Sequence, residues 1–259
     1  MLTAGLDIGS RTIALVEWDG DKIIRHEVIF TGIDPAANSR RLIGTQHYDH
    51  MVATGYGRYL ATEQSLADSV ITEIKAYAIG ARHLYPDVQT ILDIGGQDSK
   101  AISIGPNGTV SRFEMNDRCA AGTGRFLENM ALALGMTVEN LGLHALESHD
   151  QSVPLSSMCT VFAESEVVSL IGRGADSRRV AMGIHEAITD RVSAMVQRVG
   201  VRPRFVFAGG VACNPCMRYL LTKKLNIELT VPENPQIVGA LGAAIQAQRE
   251  FENARGESK

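Results

Sequence analysis

The sequence is short of the residues that several classes of protein require. Its 259 residues include four cysteines, one tryptophan and eight prolines, and only 5% are aromatic. Four thiols are too few to staple a secreted scaffold, so they are expected in a reducing compartment, as small buried hydrophobes or as metal ligands. Basic residues do not outnumber acidic ones (25 against 29), and a formal net charge of −4 argues against a nucleic-acid partner. No uninterrupted apolar run approaches membrane-spanning length, and no charged start leads into an apolar stretch. The expectation is therefore a cytoplasmic chain with no membrane association. No G-x-x-x-x-G-K run followed by Ser or Thr exists, which excludes a P-loop. "GTGRFL" at 122–127 lacks the third glycine of a dinucleotide fingerprint, and the chain opens on hairpin chemistry rather than on a strand-turn-helix unit.

What is present is a large apolar fraction, 45%, with 25 glycines, enough for a sizeable core in an expected two lobes. A repeat organises the chain. "LTAGLDIGSRTIALVEWDGDKIIRHEVIF" at 2–30 and "VQTILDIGGQDSKAISIGPNGTVSRFEMN" at 88–116 share one plan: a strand, Asp-Ile-Gly, a second strand, a glycine turn and a third strand. The copies lie 86 residues apart, and "DGD" at 19–21 and "PNG" at 106–108 supply the hairpin turns.

Helical spacing is expected over 68–85, with Val70, Ile74, Ala78 and Ile79 on one face, then near 122–134 and 160–172. Another helix is expected over 181–199, with Ile184, Ile188, Val192, Val196 and Val199 on one face and Gly200 as its stop. "RFVFAGGVACNP" reads as a strand into a glycine turn, with Asn214 as a helix cap and Pro215 in the first helical position. A short strand, "IELTVP", and a helix from about Gln236 close the chain, with "GESK" as a frayed tail.

Two strand-Asp-Gly-strand hairpins and a late Gly-Gly turn resemble the actin, sugar-kinase and heat-shock-chaperone ATPase superfamily. The fold this implies is α/β, a two-lobed actin-like ATPase with ribonuclease-H-like lobes. Lobe I would span 1–87 and be rejoined by the helix at about 236–259, and lobe II would span 88–235. The hairpins of that superfamily clamp ATP phosphates from opposite sides. Carried onto this chain, Gly9, Ser10, Arg11 and Thr12 would meet phosphate in the first turn, and Gly95, Gly96 and Lys100 in the second. Gly209, Gly210 and Val211 would meet adenosine. Asp7, Asp93 and Asp98 would hold Mg²⁺ through its waters, an ion that keeps much of its hydration shell and prefers carboxylates.

The resemblance narrows at "ATGYGR" (53–58), "DIGGQDSK" (93–100), "MNDRCAAGTGRFLENMA" (115–131), "CTVFAESEV" (159–167) and "GGVACN" (209–214). Together these are similar to the activator ATPases of 2-hydroxyacyl-CoA dehydratases, with the ATPase subunits of benzoyl-CoA reductase and the reductases of double-cubane cluster proteins. Membership would imply a homodimer sharing one four-iron, four-sulfur (4Fe-4S) cluster, with Cys119 and Cys159 as each subunit's thiolates. ATP hydrolysis to ADP would drive single electrons to an iron-sulfur partner enzyme, from a donor such as ferredoxin or flavodoxin. The alternative within the superfamily is a small-molecule kinase without a cluster.

Several residues carry narrower expectations. Both cluster cysteines are read at helix N-termini, where partial positive charge favours a thiolate, with Ser156 and Ser157 capping the second helix. The small-residue run Gly122, Thr123 and Gly124 is read as touching the ATP site with its backbone N–H groups, which would join phosphate to Cys119. Gln97 would orient the attacking water. Cys213 and Cys216 have C-x-x-C spacing but are read as structural. Glu164 and Glu166 are expected on a solvated face, and His144 and His149 as surface groups in a polar connector. Ala14 stands where the resembled family commonly has a lysine, with Arg11 and Thr12 as its substitutes.

Overall fold

The computed structural model describes residues 1–148, 151–156 and 159–256. Its strands are β1 (Thr3–Ile8), β2 (Thr12–Trp18), β3 (Ile23–Phe30), β4 (His50–Thr54), β5 (Ser69–Val70), β6 (Thr90–Ile94), β7 (Ser99–Ile104), β8 (Val110–Asn116), β9 (Phe205–Ala208) and β10 (Leu229–Thr230). Its helices are α1 (Pro35–Ile43), α2 (Arg58–Glu63), α3 (Glu73–Leu84), α4 (Gly124–Ala133), α5 (Val138–Leu146), α6 (Thr160–Gly172), α7 (Ser177–Val199), α8 (Pro215–Leu225) and α9 (Val238–Gly256). No described helix is long and apolar enough to cross a membrane. The strands form two sheets of five, ordered β3-β2-β1-β4-β5 and β10-β9-β6-β7-β8. The chain divides into two compact units, one of 1–91, 104–111 and 232–259, the other of 92–103 and 112–231.

In the first unit the opening meander is antiparallel, and β4 joins β1 in parallel so that Asp7 stands beside Ala14 on one side and Thr54 on the other. The helix α9 lies so close to β1 that a side-chain carbon on Gly5 would stand 2.0 Å from the Ala240 carbonyl oxygen. Ala14, Val16 and Trp18 pack on Ile237, Leu241 and Ile245 across that contact. The 68–85 segment departs from its helical expectation, because Val70 belongs to β5, paired in parallel with Ala53. The helix α3 begins only after Thr72, whose hydroxyl accepts from the Lys75 N–H. Two residues of apolar edge strand look like an extra helical turn when only spacing is read.

The second unit holds the larger core, with Phe126, Leu127, Ile184, Ile188, Phe205, Phe207 and Met217 among its buried members. At 23 residues, α7 is its spine, and Ile184, Ile188, Val192 and Val196 are at most 1% exposed. Burial of each such side chain is worth about 2 kcal/mol against leaving it in water. Asp176 caps the N-terminus of α7, and Gly200, at φ +95°, ends it. His144 is not in a connector: it lies in α5, with Nε2 2.9 Å from the Ser177 hydroxyl. The polar letters of "TVENLGLHALES" hide a one-sided helix whose Leu141, Gly142 and Ala145 are buried. His149 and Ser157, and the last three residues of the expected tail, lie outside the described residues.

Candidate functional site

Two turns, one in each unit, repeat each other bond for bond. After β1, the Gly9 N–H donates to the Thr12 carbonyl at 3.0 Å; after β6, the Gly95 N–H donates to the Asp98 carbonyl at 2.9 Å. Both loops expose a polar tip, Arg11 in the first and Gln97 in the second. Each acidic residue is met by a glycine that ends a neighbouring strand. Gly55 (φ +87°) follows β4, and a side-chain carbon there would fall 2.4 Å from an Asp7 carboxylate oxygen and 2.5 Å from the Ile8 carbonyl oxygen. Gly209 (φ +84°) follows β9, and the corresponding distances to Asp93 and Ile94 are 2.3 and 2.5 Å. Only a residue without Cβ takes both that φ and that approach.

The charges around the two aspartates differ. Asp93 and Lys100 are 1% and 2% exposed, and the Lys100 ammonium lies 3.0 Å from Asp93 and 2.7 Å from Asp98. In the first turn the position of Lys100 is taken by Ala14, which is buried under α9. There Asp7 faces the first turn of α9, where a Gly239 side chain would meet its second oxygen at 2.4 Å. The positive end of a helix thus stands by Asp7 where a lysine stands by Asp93. At the mouth of the first turn, the Thr31 hydroxyl donates to the Gly9 carbonyl at 2.8 Å, Thr31 N–H donates to Arg11, and the Arg11 guanidinium lies 4.9 Å above the Phe30 ring.

The small-residue run is brought onto the second turn. Gly124 N–H donates to the Gly95 carbonyl at 2.9 Å, Arg125 N–H to Gly96 at 2.8 Å, and Thr123 N–H to Ala120 at 3.0 Å. These three donors are satisfied inside the protein, so the run supports the turn instead of offering those groups to an anion. The Gly209-Gly210-Val211 turn closes on the same place, with a Val211 methyl 3.4 Å from where a side chain on Gly124 would begin. Asn214 ends this turn and caps α8, accepting from the Cys216 and Met217 N–H groups at 3.0 and 3.1 Å.

The four thiols separate by environment. Cys159 is exposed and is itself the N-cap of α6, a place expected for Ser156 and Ser157; the Ser156 N–H instead donates to Glu166 at 2.8 Å. That bond also moves Glu166 from a merely solvated face to a structural anchor, while Glu164 is exposed. Cys119 is half-buried and does not stand at a helix N-terminus, because α4 starts five residues later, at Gly124. An Asn116 amide instead gathers the carbonyls of Cys119 and Ala121, at 2.9 and 3.0 Å. Cys216 is fully buried, and burial pushes its thiol up to about 12. Cys213 is exposed, and desolvation raises its thiol too. The C-x-x-C pair is thus one core thiol and one surface thiol, both held away from the thiolate form that a metal needs. Among the described residues no group of three or more His, Cys, Asp or Glu side chains in the chain is arranged to hold a metal.

Sequence reasoning had no signal for Gly239, and it passed over Gly55 except as part of a family motif. His185 also went unread. This residue of α7 is fully buried, its Nδ1 2.7 Å from the Ala181 carbonyl and its Nε2 3.0 Å from the Asn214 amide nitrogen. Burial holds its imidazole down to about 4, so the ring is neutral, Nδ1–H donates to Ala181 and Nε2 accepts from Asn214.

This architecture has close counterparts. The chain is 40% identical, over 100% of its length and 99% of the relative's, to the 2-hydroxyisocaproyl-CoA dehydratase activator of Clostridioides difficile. It is 38% identical to the (R)-2-hydroxyglutaryl-CoA dehydratase activating ATPase of Acidaminococcus fermentans, over 95% of this chain and 97% of that one. The solved activator of the 2-hydroxyisocaproyl-CoA dehydratase from Clostridium difficile with bound ADPNP matches with a TM-score of 0.90 at 39% identity, covering 100% of this chain and 98% of that one. A ROK family protein from Streptococcus pneumoniae, 12% identical with a TM-score of 0.54 over 98% of this chain and 100% of that one, shares the fold alone. The fold is thus the two-lobed α/β architecture of actin-like ATPases and sugar kinases. Residues 25–247 match the family model, and the chain belongs to the BadF/BadG/BcrA/BcrD ATPase family.

Proposed function

We propose that the protein is an ATP-dependent reductive activase, in which ATP hydrolysis drives one-electron transfer to a partner iron-sulfur enzyme such as a 2-hydroxyacyl-CoA dehydratase or a double-cubane cluster protein. The observation that carries the reading is the paired geometry of Asp7, Gly9 and Gly55 with Asp93, Gly95 and Gly209. Each set sets a carboxylate beside a turn with room for phosphate. Asp7 and Asp98 orient Mg²⁺ through its waters, Ser10, Thr12 and Gly96 line the phosphates, and exposed Gln97 directs the attacking water. Gly210 and Val211 support the adenosine. Lys100 compensates Asp93 and Asp98, which fixes the Asp98 carboxylate in place.

Cys119 and Cys159 hold one edge of a four-iron, four-sulfur cluster, whose chemistry when bound is to take up and release a single electron. The donor set fits. These thiols are reachable from solvent, they number two per chain, and Cys216 is sealed in the core. Two thiolates from each of two chains complete the four ligands in a homodimer. Its contact surface starts at Cys159, where α6 carries Val161, Phe162 and Val168 at 56–68% exposure and buries only Ala163 and Val167. A reduced ferredoxin or flavodoxin refills the site in the cytoplasm.

The test is anaerobic purification followed by iron and sulfide analysis, with Mg-dependent ATP hydrolysis measured alongside. We expect about four irons per dimer. Cys119→Ser and Cys159→Ser are expected to lose the cluster, and a Cys213→Ser, Cys216→Ser double variant to keep it. Asp7→Ala is expected to lose at least about 100-fold in hydrolysis while retaining iron. Iron lost from the double variant, or hydrolysis unchanged in Asp7→Ala, defeats the assignment.

A further inference from the structure

The segment 151–156, which leads into Cys159, lies along α7. Val153 N–H donates to the Arg179 carbonyl at 3.0 Å, and the Arg179 guanidinium donates to the Gln151 carbonyl at 2.6 Å. A side-chain carbon on Gly183 would stand 1.9 Å from the Val153 carbonyl oxygen, so the strap and the helix are in direct backbone contact. The Ser152 hydroxyl donates to the Glu186 carboxylate. The next residue back in sequence, His185, holds Asn214 at the end of the Gly209 turn, and Asn214 in turn caps α8. Farther along, the Arg191 side chain packs over Gly122, in the loop that follows Cys119, at 3.1 Å from where a side chain there would begin. One rigid helix therefore touches the glycine turn, the strap before Cys159 and the loop after Cys119.

We infer that α7 carries nucleotide occupancy at the Gly209 turn to the Cys159 segment, with Ser152 and Glu186 as the positioning residues at the thiol end. The inference rests on the proposed nucleotide and thiol readings. A displacement of the Gly209–Asn214 turn is passed to His185 because the ring is buried and neutral, and it accepts the Asn214 amide proton with no water to substitute for that bond. The adjacent residue holds the strap, so a rotation or slide of α7 moves Ser152 and with it the backbone leading to Cys159. Any ligand that favours one position of the turn must bias the strap by the same free energy, and the reverse holds too.

The test uses the full-length chain, purified in air and reduced with a phosphine so that its thiols are unligated. Alkylation of Cys159 by iodoacetamide is followed by peptide mass spectrometry, with and without a non-hydrolysable ATP analogue and Mg²⁺, and binding of the analogue is measured by calorimetry. We expect the analogue to change the Cys159 rate by about fivefold, near the low end of typical site-to-site coupling, and to leave buried Cys216 unchanged. In Ser152→Ala and in Glu186→Ala the analogue is expected to bind with unaltered affinity while the Cys159 response falls below about 1.5-fold. If the wild type binds the analogue but Cys159 does not respond, or if both variants respond as the wild type does, the role of α7 is overturned and the nucleotide reading stands. If the analogue does not bind at all, the nucleotide reading falls and takes this inference with it.

Discussion

Asp7 and Asp93 end sister strands, begin sister turns and are each crossed by a positive-φ glycine, yet their charges are balanced in different ways. Asp93 shares a buried lysine with Asp98, whereas Asp7 faces the first turn of α9 beside Ala14. A lysine ammonium is a full charge fixed by its own stem; a helix terminus is a partial charge spread over several N–H groups. The second turn is thus an internally neutralised scaffold, and the first is the one whose carboxylate is left for a cation to complete. Duplication has preserved the backbone and divided the electrostatic work.

The largest expected effect tests that division on stability. Asp93→Ala strips a buried lysine of one of its two partners and is expected to destabilise the fold by about 3 kcal/mol or more, whereas Asp7→Ala is expected to cost about 1 kcal/mol or less. Urea denaturation of both variants checks the difference, and equal losses would erase the contrast between the turns.

Next in size is a pH effect confined to the second unit. His185 has a folded-state value of about 4 against an ordinary 6.5. The unfolded chain therefore binds the extra proton first, and the neutral-ring contribution is complete above about pH 6.5, is lost as pH falls toward 4 and changes no further below it. The span is about 3 kcal/mol for a ring this deeply buried. His185→Gln, which cannot titrate, is expected to flatten stability over that window, and an unchanged slope would show that other groups set it.

Smaller still is the cost of a methyl group at either crossing glycine. Gly55→Ala and Gly209→Ala meet the same obstruction, an aspartate oxygen and an isoleucine carbonyl, at φ values that differ by only 3°. Each is expected to lose about 2 kcal/mol, and the two losses are expected to agree within about 0.5 kcal/mol. Unequal losses in denaturation would mean that the two turns differ in backbone as well as in charge.

The smallest effect sharpens the comparison by imitation. Ala14→Lys places a cation at the register partner of Asp7, as Lys100 stands to Asp93. With Asp7 present the cost is expected at about 1 kcal/mol; in an Asp7→Ala background it is expected to rise by about 2 kcal/mol, since the lysine is then buried without its counter-charge. A double-mutant cycle with no coupling would place the new ammonium elsewhere.

The opening meander, the repeat and the strand-turn-helix around Gly209 were legible because each is a local pattern of alternation, turn glycines and caps. The long helix α7 was legible for the same reason, down to its Gly200 stop. Less legible were segments whose letters are ambiguous over a few residues, such as Val70 at a two-residue edge strand and His144 in a helix with a polar exterior. Cys119 was misplaced by reading the start of α4 too early, since nothing in "CAAGTG" marks which small residue begins a helix.

By itself the sequence determined which positions turn, which faces are apolar and which two cysteines carry family motifs, because those follow from backbone sterics and from the period of burial. Tertiary structure alone decided the partners: Gly239 against Asp7, Gly209 across Asp93, the N–H groups of Gly124 and Arg125 turned onto the second loop, the strap 151–156 laid on α7. Periodicity records that a face is covered, but the identity of what covers it is set by packing between segments as much as 232 residues apart, where no local preference reaches.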